Sequence, residues 1–216
     1  QETSMIQQLR DFDRKKRTIS VGFCAPALIP EFVALLSRLY EGMALSTEVT
    51  GDPRLPEHLA EGRYQLAILH DEPDPERFCS CPLDSEQLYI SLPPVHPLAD
   101  SQGLYLKELD GQTFLLYSQT GFWDDLCRRK MPSSRFLMQT EMEVLGELVA
   151  NSALPAFTTD YIMKRNGEIS DRITIPVLDK EASVTYYCVC PRDNADRFRR
   201  VFRYLRSRDS LPADLS

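Results

Sequence analysis

Residues 19–69 read ISVGFCAPALIPEFVALLSRLYEGMALSTEVTGDPRLPEHLAEGRYQLAIL, and this stretch decides the fold class. Apolar strand-like segments at 19–23, 44–49 and 64–69 alternate with two helical patterns. The apolar face of the first helix consists of Phe32, Leu35, Leu36, Leu39 and Tyr40. Strands that alternate with helices in this way predict a parallel sheet covered on both faces.

The ends of these strands are the first places to look for a binding site. Ligands of open α/β sheets usually lie beside the carboxyl ends of the strands. The first strand ends at residues 24–27 and the second at residues 50–53. The third ends at His70.

Composition indicates a folded globular chain of one large or two small domains. Hydrophobic residues make up 43% of the 216 residues and charged residues 26%, and the net charge is −7. The acidic balance argues against nucleic-acid binding by this chain itself. No apolar run reaches the roughly 18 residues of a membrane span. No signal-peptide pattern is present and the chain does not begin with Met, so we expect a fragment of a longer cytoplasmic protein with no membrane partner.

Two local clusters contain charged or reactive side chains, but we expect both clusters to be structural. Arginines at 197–208 alternate with an apolar helical face, which favours the solvated side of a terminal helix over an interaction surface. Cys79 with Cys81, and Cys188 with Cys190, form C-x-C pairs, whereas zinc sites usually use C-x2-C. Buried thiols in a reducing compartment and no metal are therefore expected, with metal binding or redox switching as the alternative.

A second strand–helix unit follows the first. Strands are predicted at 87–92, 113–117, 136–139, 155–158, 173–177 and 184–189, and helices at 122–130, 141–151 and 197–206. Prolines predict a loop over residues 71–82. In the helix at 141–151 we expect Val144, Leu145, Leu148 and Val149 to point inward. Two such α/β lobes joined by two crossings of the chain would leave a cleft between them.

Several blocks in this order resemble the effector-binding domain of LysR-type transcriptional regulators. They are ISVGF at 19–23, LIPEF at 28–32, LAEGR at 59–63 and HPLA at 96–99, of which the last is the most specific. The resemblance extends over about residues 18–208 and is weakest after Met131. It implies an α/β fold of two Rossmann-like subdomains with a cleft between them, like a type 2 periplasmic-binding protein.

The resemblance also implies a domain plan. Residues 1–17 would end a linker helix, residues 18–85 with 190–208 would form subdomain I, and residues 86–189 would form subdomain II. Residues 209–216 would be a tail. Members of the family form homodimers with the lobes side by side and antiparallel, or homotetramers. They contact DNA through an N-terminal domain, and no helix-turn-helix pattern occurs in these 216 residues.

Catalysis and cofactors are not expected. The sequence has no G-x-S-x-G, Walker A, G-x-G-x-x-G or H-E-x-x-H motif, so we predict no catalytic, cofactor or metal-binding residue. Cys24 and His70 could form a thiol–imidazole pair, but no third group is evident that would orient the imidazole.

A small-molecule effector is the expected ligand, and it would contact the loops where strands give way to helices. The predicted ligand-binding residues are Cys24, Ala25, Pro26, Gly51, Asp52, His70, Ser118, Gln119, Thr120 and Thr140. Relatives often carry Ser or Thr where Pro26 stands and Thr where Asp52 stands. Pro has no N–H and Asp adds a negative charge, so a cationic, zwitterionic or neutral effector is favoured over a plain carboxylate.

Other interpretations of the same residues remain open. Ser118 and Thr120 could serve as helix N-caps, and Thr140 could form a capping box with Glu143. Phe122 and Trp123 fit the core better than a ligand contact. For the whole chain, a solute-binding protein of a transporter is the alternative to a regulator, and an enzyme on the same fold is a distant third.

Overall fold

The computed structural model describes residues 17–209. The predicted linker helix, apart from Arg17, and the predicted tail, apart from Asp209, lie outside the described residues. Within them the chain forms two compact units, one of residues 17–83 with 186–209 and one of Asp84–Thr185. Strands β4 and β9 carry the chain from one unit to the other.

The elements follow in chain order. The strands are β1 (Thr18–Phe23), β2 (Ala44–Val49), β3 (Leu66–Leu69), β4 (Phe78–Leu92), β5 (Thr113–Tyr117), β6 (Arg135–Gln139), β7 (Ala156–Thr159), β8 (Ile173–Pro176) and β9 (Ser183–Pro191). The α-helices are α1 (Ile29–Leu39), α2 (Leu55–Ala60), α3 (Phe122–Lys130), α4 (Met142–Asn151), α5 (Asp160–Asn166) and α6 (Arg199–Asp209). Short 3-10 turns occupy Leu106–Leu109, Lys180–Ala182 and Arg192–Asn194.

In the first unit β1 lies between β2 and β3 and runs parallel to both, as predicted. β9 adds to the far side of β3 in the antiparallel direction. Gly22 in β1 allows close packing, because a Cβ there would lie 2.7 Å from Leu55 Cδ1 and 2.9 Å from the Tyr64 ring. Helices α1 and α6 pack together, with the rings of Tyr40 and Phe198 6.0 Å apart.

The predicted face of the closing helix is buried, but β2 is not covered as predicted. Phe198, Val201, Phe202 and Leu205 are at most 4% exposed, so periodicity correctly identified the face by which α6 packs. Four of the six residues of β2 are exposed. The expectation of a sheet covered on both faces was wrong there, because β2 is an edge strand.

The second unit is built around β5, which pairs in parallel with β6 on one side and β7 on the other. β4 pairs with β7 and β8 in the antiparallel direction. Three aromatic rings stack in its core: the Phe114 ring lies 5.6 Å from that of Phe136 and 5.2 Å from that of Phe157.

Two predictions for these elements were wrong. The predicted loop at 71–82 ends earlier, because β4 already begins at Phe78 and passes through Pro82. Proline fits extended backbone, and the buried Phe78 and Cys81 supply the apolar positions of this segment. In α4 only Val149 is fully buried and Leu145 is partly buried, whereas Val144 and Leu148 are each 39% exposed.

One partly buried guanidinium joins three parts of the second unit. Arg172 donates to Ser91 Oγ and O at 2.9 and 2.7 Å, and to the carbonyl oxygens of Val149, Ser152 and Leu154 at 2.9, 2.9 and 2.7 Å. These bonds use all five N–H groups of the side chain. Arg172 therefore fastens the carboxyl end of α4 to β4.

Candidate functional site

In the first unit, three strand ends meet at one edge of the sheet. The amide of Cys24 donates to the carbonyl of Ile68 at 3.0 Å, and the amide of Thr50 donates to the carbonyl of Phe23 at 2.9 Å. Because β1, β2 and β3 are parallel, their carboxyl ends lie side by side. The structure therefore brings together the predicted residues that follow these strands, namely Cys24, Ala25, Pro26, Gly51, Asp52 and His70.

The loop after β2 is held by its own polar groups. The amide of Asp52 donates to Thr50 Oγ1 at 3.1 Å, and Asp52 Oδ1 accepts from the amide of Arg54 at 2.9 Å. The Asp52 carboxylate also lies 3.7 Å from Arg54 Nε and 3.7 Å from His58 Nε2. The hydrogen bond from the Arg54 amide holds the pKa of Asp52 below its ordinary value. Asp52 is therefore an ionised carboxylate whose charge is partly met by neighbours in the same loop and helix.

The loops after β1 and β3 offer different groups. Cys24 and Ala25 are 4% and 3% exposed. The Pro26 carbonyl accepts from the Ile29 amide at 3.2 Å, which begins the turn into α1. Burial lowers the pKa of His70, and the Asp71 carboxylate, 3.4 Å from Nε2, acts in the opposite direction. His70 is thus neutral at physiological pH, when it can both donate and accept a hydrogen bond.

In the second unit, the ends of β5 and β6 meet at the corresponding edge. Tyr117 pairs with Gln139 in the ladder, and the Ser118 amide donates to the Gln139 carbonyl at 2.8 Å. The four predicted residues of this unit, Ser118, Gln119, Thr120 and Thr140, therefore follow two neighbouring strand ends. Thr120 Oγ1 is buried and makes no hydrogen bond within the described residues.

The capping interpretations of these residues were wrong. The N-cap of α3 is Gly121, at φ 65° and ψ −131°, and neither Ser118 nor Thr120 caps this helix. The N-cap of α4 is Glu141, with no side-chain capping bond, so Thr140 and Glu143 form no capping box. Gly121 is required because this backbone conformation is open to glycine almost alone. The Thr120 hydroxyl is thereby left without the local role that the sequence suggested.

A buried polar pair next to this loop was missed by sequence reasoning. Trp123 is 5% exposed, and its Nε1 donates to Glu86 Oε2 at 3.4 Å, while Glu86 itself is 3% exposed. The two residues are 37 positions apart, and neither belongs to a recognisable motif. Only the alternation of apolar and polar residues at 86–92 could have suggested an inward-facing Glu86.

Family and structural relatives agree with this architecture. Residues 13–210 match the family described as LysR substrate binding domain. The chain belongs to this LysR family. Among solved structures, the MetR regulatory domain from Neisseria meningitidis matches with a TM-score of 0.69 and 14% identity over 89% of this chain and 94% of that one. The reduced OxyR regulatory domain from Pseudomonas aeruginosa matches with a TM-score of 0.62 and 16% identity over 88% and 98%.

A curated relative supports the same assignment. The hydrogen peroxide-inducible genes activator of Haemophilus influenzae is 23% identical over 199 residues, or 85% of this chain. The chain spans 64% of the length of that relative. The type 2 periplasmic-binding-like fold predicted from sequence is confirmed by these regulatory-domain structures.

LysR regulatory domains sense ligands for transcription factors and are not enzymes, so membership of the family favours a regulator over both alternatives. Among residues 17–209, no helix has the length and apolar character needed to cross a membrane. Within the same part of the chain, no three His, Cys, Asp or Glu side chains converge as a metal site would require.

Proposed function

We propose that this LysR-family chain is the effector-sensing and dimerising module of a bacterial transcriptional regulator, and that a small metabolite binds in a cleft between the two lobes. The metabolite would contact the carboxyl ends of β1, β2 and β3 on one lobe and of β5 and β6 on the other. Binding would shift the population toward a closed form. The observation that best supports this proposal is the buried hydroxyl of Thr120, which makes no hydrogen bond within the described residues although it lies at such a strand end.

The named relatives support a ligand of this kind. The regulatory domain of CcmR from Synechocystis was solved in complex with 2-PG, and it matches this chain with a TM-score of 0.62 and 15% identity over 88% of this chain and 96% of that one. The predicted residues of both edges offer backbone and hydroxyl groups that a small molecule would contact.

The charges at the first edge favour a neutral, zwitterionic or cationic effector. Asp52 is ionised, so it would repel the carboxylate of an effector. Pro26 has no N–H group, so it cannot donate a hydrogen bond to that carboxylate. The amide of Arg54 already bonds the Asp52 carboxylate, so this amide is not available to a ligand. His70 is neutral, so it adds no positive charge that would attract a carboxylate.

A thermal-shift screen with metabolites grouped by charge tests the proposal. An effector at 100 times its dissociation constant should stabilise the chain by about 2.7 kcal/mol. Thr120→Ala should reduce this shift, because it removes the hydroxyl that we assign to the ligand. Thr113→Ala is the matched control, since Thr113 lies at the amino end of β5, the strand whose carboxyl end precedes the Thr120 loop. A metabolite that raises Tm equally in the parent and in both variants would show that the ligand does not contact Thr120.

We further propose that a second copy of the chain covers two exposed edges. In the second unit, large apolar side chains of β6 and α4 are 39–48% exposed: Leu137, Met138, Met142, Val144 and Leu148. In the first unit, β2 is an exposed edge strand. Side-by-side antiparallel lobes would place the β6–α4 patch of one copy against the β2 edge of the other, which would remove this apolar surface from water.

Sedimentation equilibrium tests the dimer. Val144→Glu should weaken association about a hundredfold or more, because an unpaired carboxylate buried in an interface costs several kcal/mol and 1.4 kcal/mol is tenfold. Val95→Glu is the control, since Val95 is 86% exposed and lies in a turn that belongs to neither β6 nor α4. A parent chain that is monomeric at high concentration, or equal dissociation constants for the two variants, would contradict this interface.

DNA contact would belong to an N-terminal domain outside these 216 residues, in the cytoplasm where the target genes are. The net charge of −7 supports the assignment of DNA binding to another domain. Proteins that bind DNA usually do so with basic side chains, which displace counterions from the phosphates. The 216-residue chain alone should therefore not retard promoter DNA in a gel at physiological salt. Retardation that falls steeply with salt would show that this module binds DNA itself.

A further inference from the structure

The two C-x-C pairs lie on β4 and β9, which are neighbours in the sheet. Beyond the strand ends, the amide of Arg192 donates to the carbonyl of Arg77 at 3.2 Å. In an antiparallel ladder such a bond joins residues that are directly opposite, and bonded pairs recur every two residues. Two steps into the ladder, Cys190 is therefore opposite Cys79, and both belong to the first unit.

This register suits a disulfide. Residues in a hydrogen-bonded antiparallel pair have Cα atoms about 5.5 Å apart, which falls within the range of about 4.4–6.8 Å found across disulfides. Cys81 and Cys188 share the same register one pair further on, but both are buried. Among these four cysteines Cys79 differs, because it is partly exposed.

Cys79 also lines a cavity of about 420 Å³ beside helix α6. The other lining residues are Ala195, Asp196, Arg199, Phe202, Arg203 and Arg206. The three arginines follow the i, i+4, i+7 spacing of one helix face, and one carboxylate, that of Asp196, stands with them. Phe202 adds an apolar wall. An anionic molecule with an apolar stem fits this lining better than a neutral or cationic one.

We propose that Cys79 is a modification site for anionic low-molecular-weight disulfides, with Cys190 as the resolving thiol. The Cys79 thiolate attacks one sulfur of the disulfide, forms a mixed disulfide and releases the other half as a thiolate. The Cys190 thiolate then attacks the Cys79 sulfur, which gives the Cys79–Cys190 disulfide and releases the second half as a thiolate. The protein loses two electrons and two protons, and the reagent is reduced to two thiols.

The two steps should differ in rate. Burial and the neighbouring Cys79 raise the pKa of Cys190 to about 12, so little of it is thiolate at neutral pH. The mixed disulfide at Cys79 should therefore accumulate first and resolve faster as pH rises. Because β4 and β9 carry the chain between the two units, the final bond would link both connecting strands covalently. This inference stands apart from the proposed effector site.

Oxidised glutathione is the probe, applied to the 216-residue chain at mildly alkaline pH and followed by intact-mass and peptide mass spectrometry. We expect one glutathionyl group on Cys79, followed by a Cys79–Cys190 disulfide. Cys190→Ala should trap the adduct, and Cys79→Ser should remove both products. Cys127→Ser is the control and should behave as the parent, because Cys127 is buried in the other unit.

The arginines provide the second test. Arg199→Gln combined with Arg203→Gln should slow the reaction with oxidised glutathione about tenfold, because it removes two charges that attract the reagent. The reaction with the neutral 2-hydroxyethyl disulfide should keep its rate. Equal slowing of both reagents would overturn the anion recognition. First modification at another cysteine, or an adduct that resolves equally fast in Cys190→Ala, would overturn the assignment of the two thiols.

Discussion

Replacing Arg172 by Ala should be among the most damaging single changes in the second unit. The guanidinium makes five hydrogen bonds, three of which end on Ser91 and Val149. Those two residues are 1% and 3% exposed, so water cannot easily replace the lost donor. The other two bonds end on the partly buried Ser152 and Leu154, whose carbonyl groups can turn to water.

The magnitude follows from the three bonds that end on buried residues. A buried acceptor that loses its partner costs about 1–3 kcal/mol. At the lower end of that range, three such bonds give a loss of about 3 kcal/mol in the free energy of unfolding. If the two units unfold together, Tm should fall by roughly 6–12 °C for a chain of this length. Arg172→Lys should recover less than half, since an ammonium cannot reproduce the planar fork.

Urea unfolding followed by tryptophan fluorescence measures this loss directly. Trp123 is the single tryptophan and lies in the same unit as Arg172. Arg128→Ala is the control, because the Arg128 side chain is 50% exposed and pairs on the surface with Asp124, a contact worth at most about 0.5 kcal/mol. A loss below about 1 kcal/mol in Arg172→Ala, or full recovery in Arg172→Lys, would refute the reasoning.

Two further substitutions test the backbone and the charges. Gly121→Ala should lower the free energy of unfolding by about 1–3 kcal/mol, because Gly121 has a φ of 65° and a ψ of −131°. Gly146→Ala should stabilise α4 by about 0.5–1 kcal/mol, because the space around the added Cβ is open. Equal effects of the two substitutions in thermal unfolding would contradict this. The Tyr64 hydroxyl donates to Glu48 at 2.7 Å and is the main cause of a lowered pKa at Glu48. That contribution to stability is present above the unfolded-state pKa of Glu and is lost as pH falls through the lowered value. Glu48→Gln should therefore be less stable than the parent at neutral pH, with a gap that closes on acidification; a gap independent of pH would disprove this linkage.

The sequence predicted the elements of both units well, because their apolar periodicities are strong. The strand β1, the helix α1 and the apolar face of α6 were all identified from the spacing of apolar residues. Periodicity reports which face of an element is apolar, but not what covers it. For this reason Val144 and Leu148 were expected in the core although they are exposed.

Contacts between distant residues could not be predicted. Arg172 meets Ser91 from 81 positions away, and Trp123 meets Glu86 from 37. No local pattern announces such pairs, because folding alone brings the groups together. The strand ends of the candidate site were easier to locate, since small polar breaks after apolar strands mark them in the sequence. Which of these breaks contacts a ligand depends on groups such as Thr120 Oγ1, whose burial the sequence does not reveal.

Amide chemical shifts of the isotopically labelled chain test the central claim most directly, once the screen has supplied an effector. During titration, we expect the amides of Cys24 and Gly51 in one unit and of Ser118 and Thr120 in the other to shift together along one binding curve. Shifts confined to the strand ends of a single unit, or to neither edge, would contradict a sensor that holds its effector with both lobes.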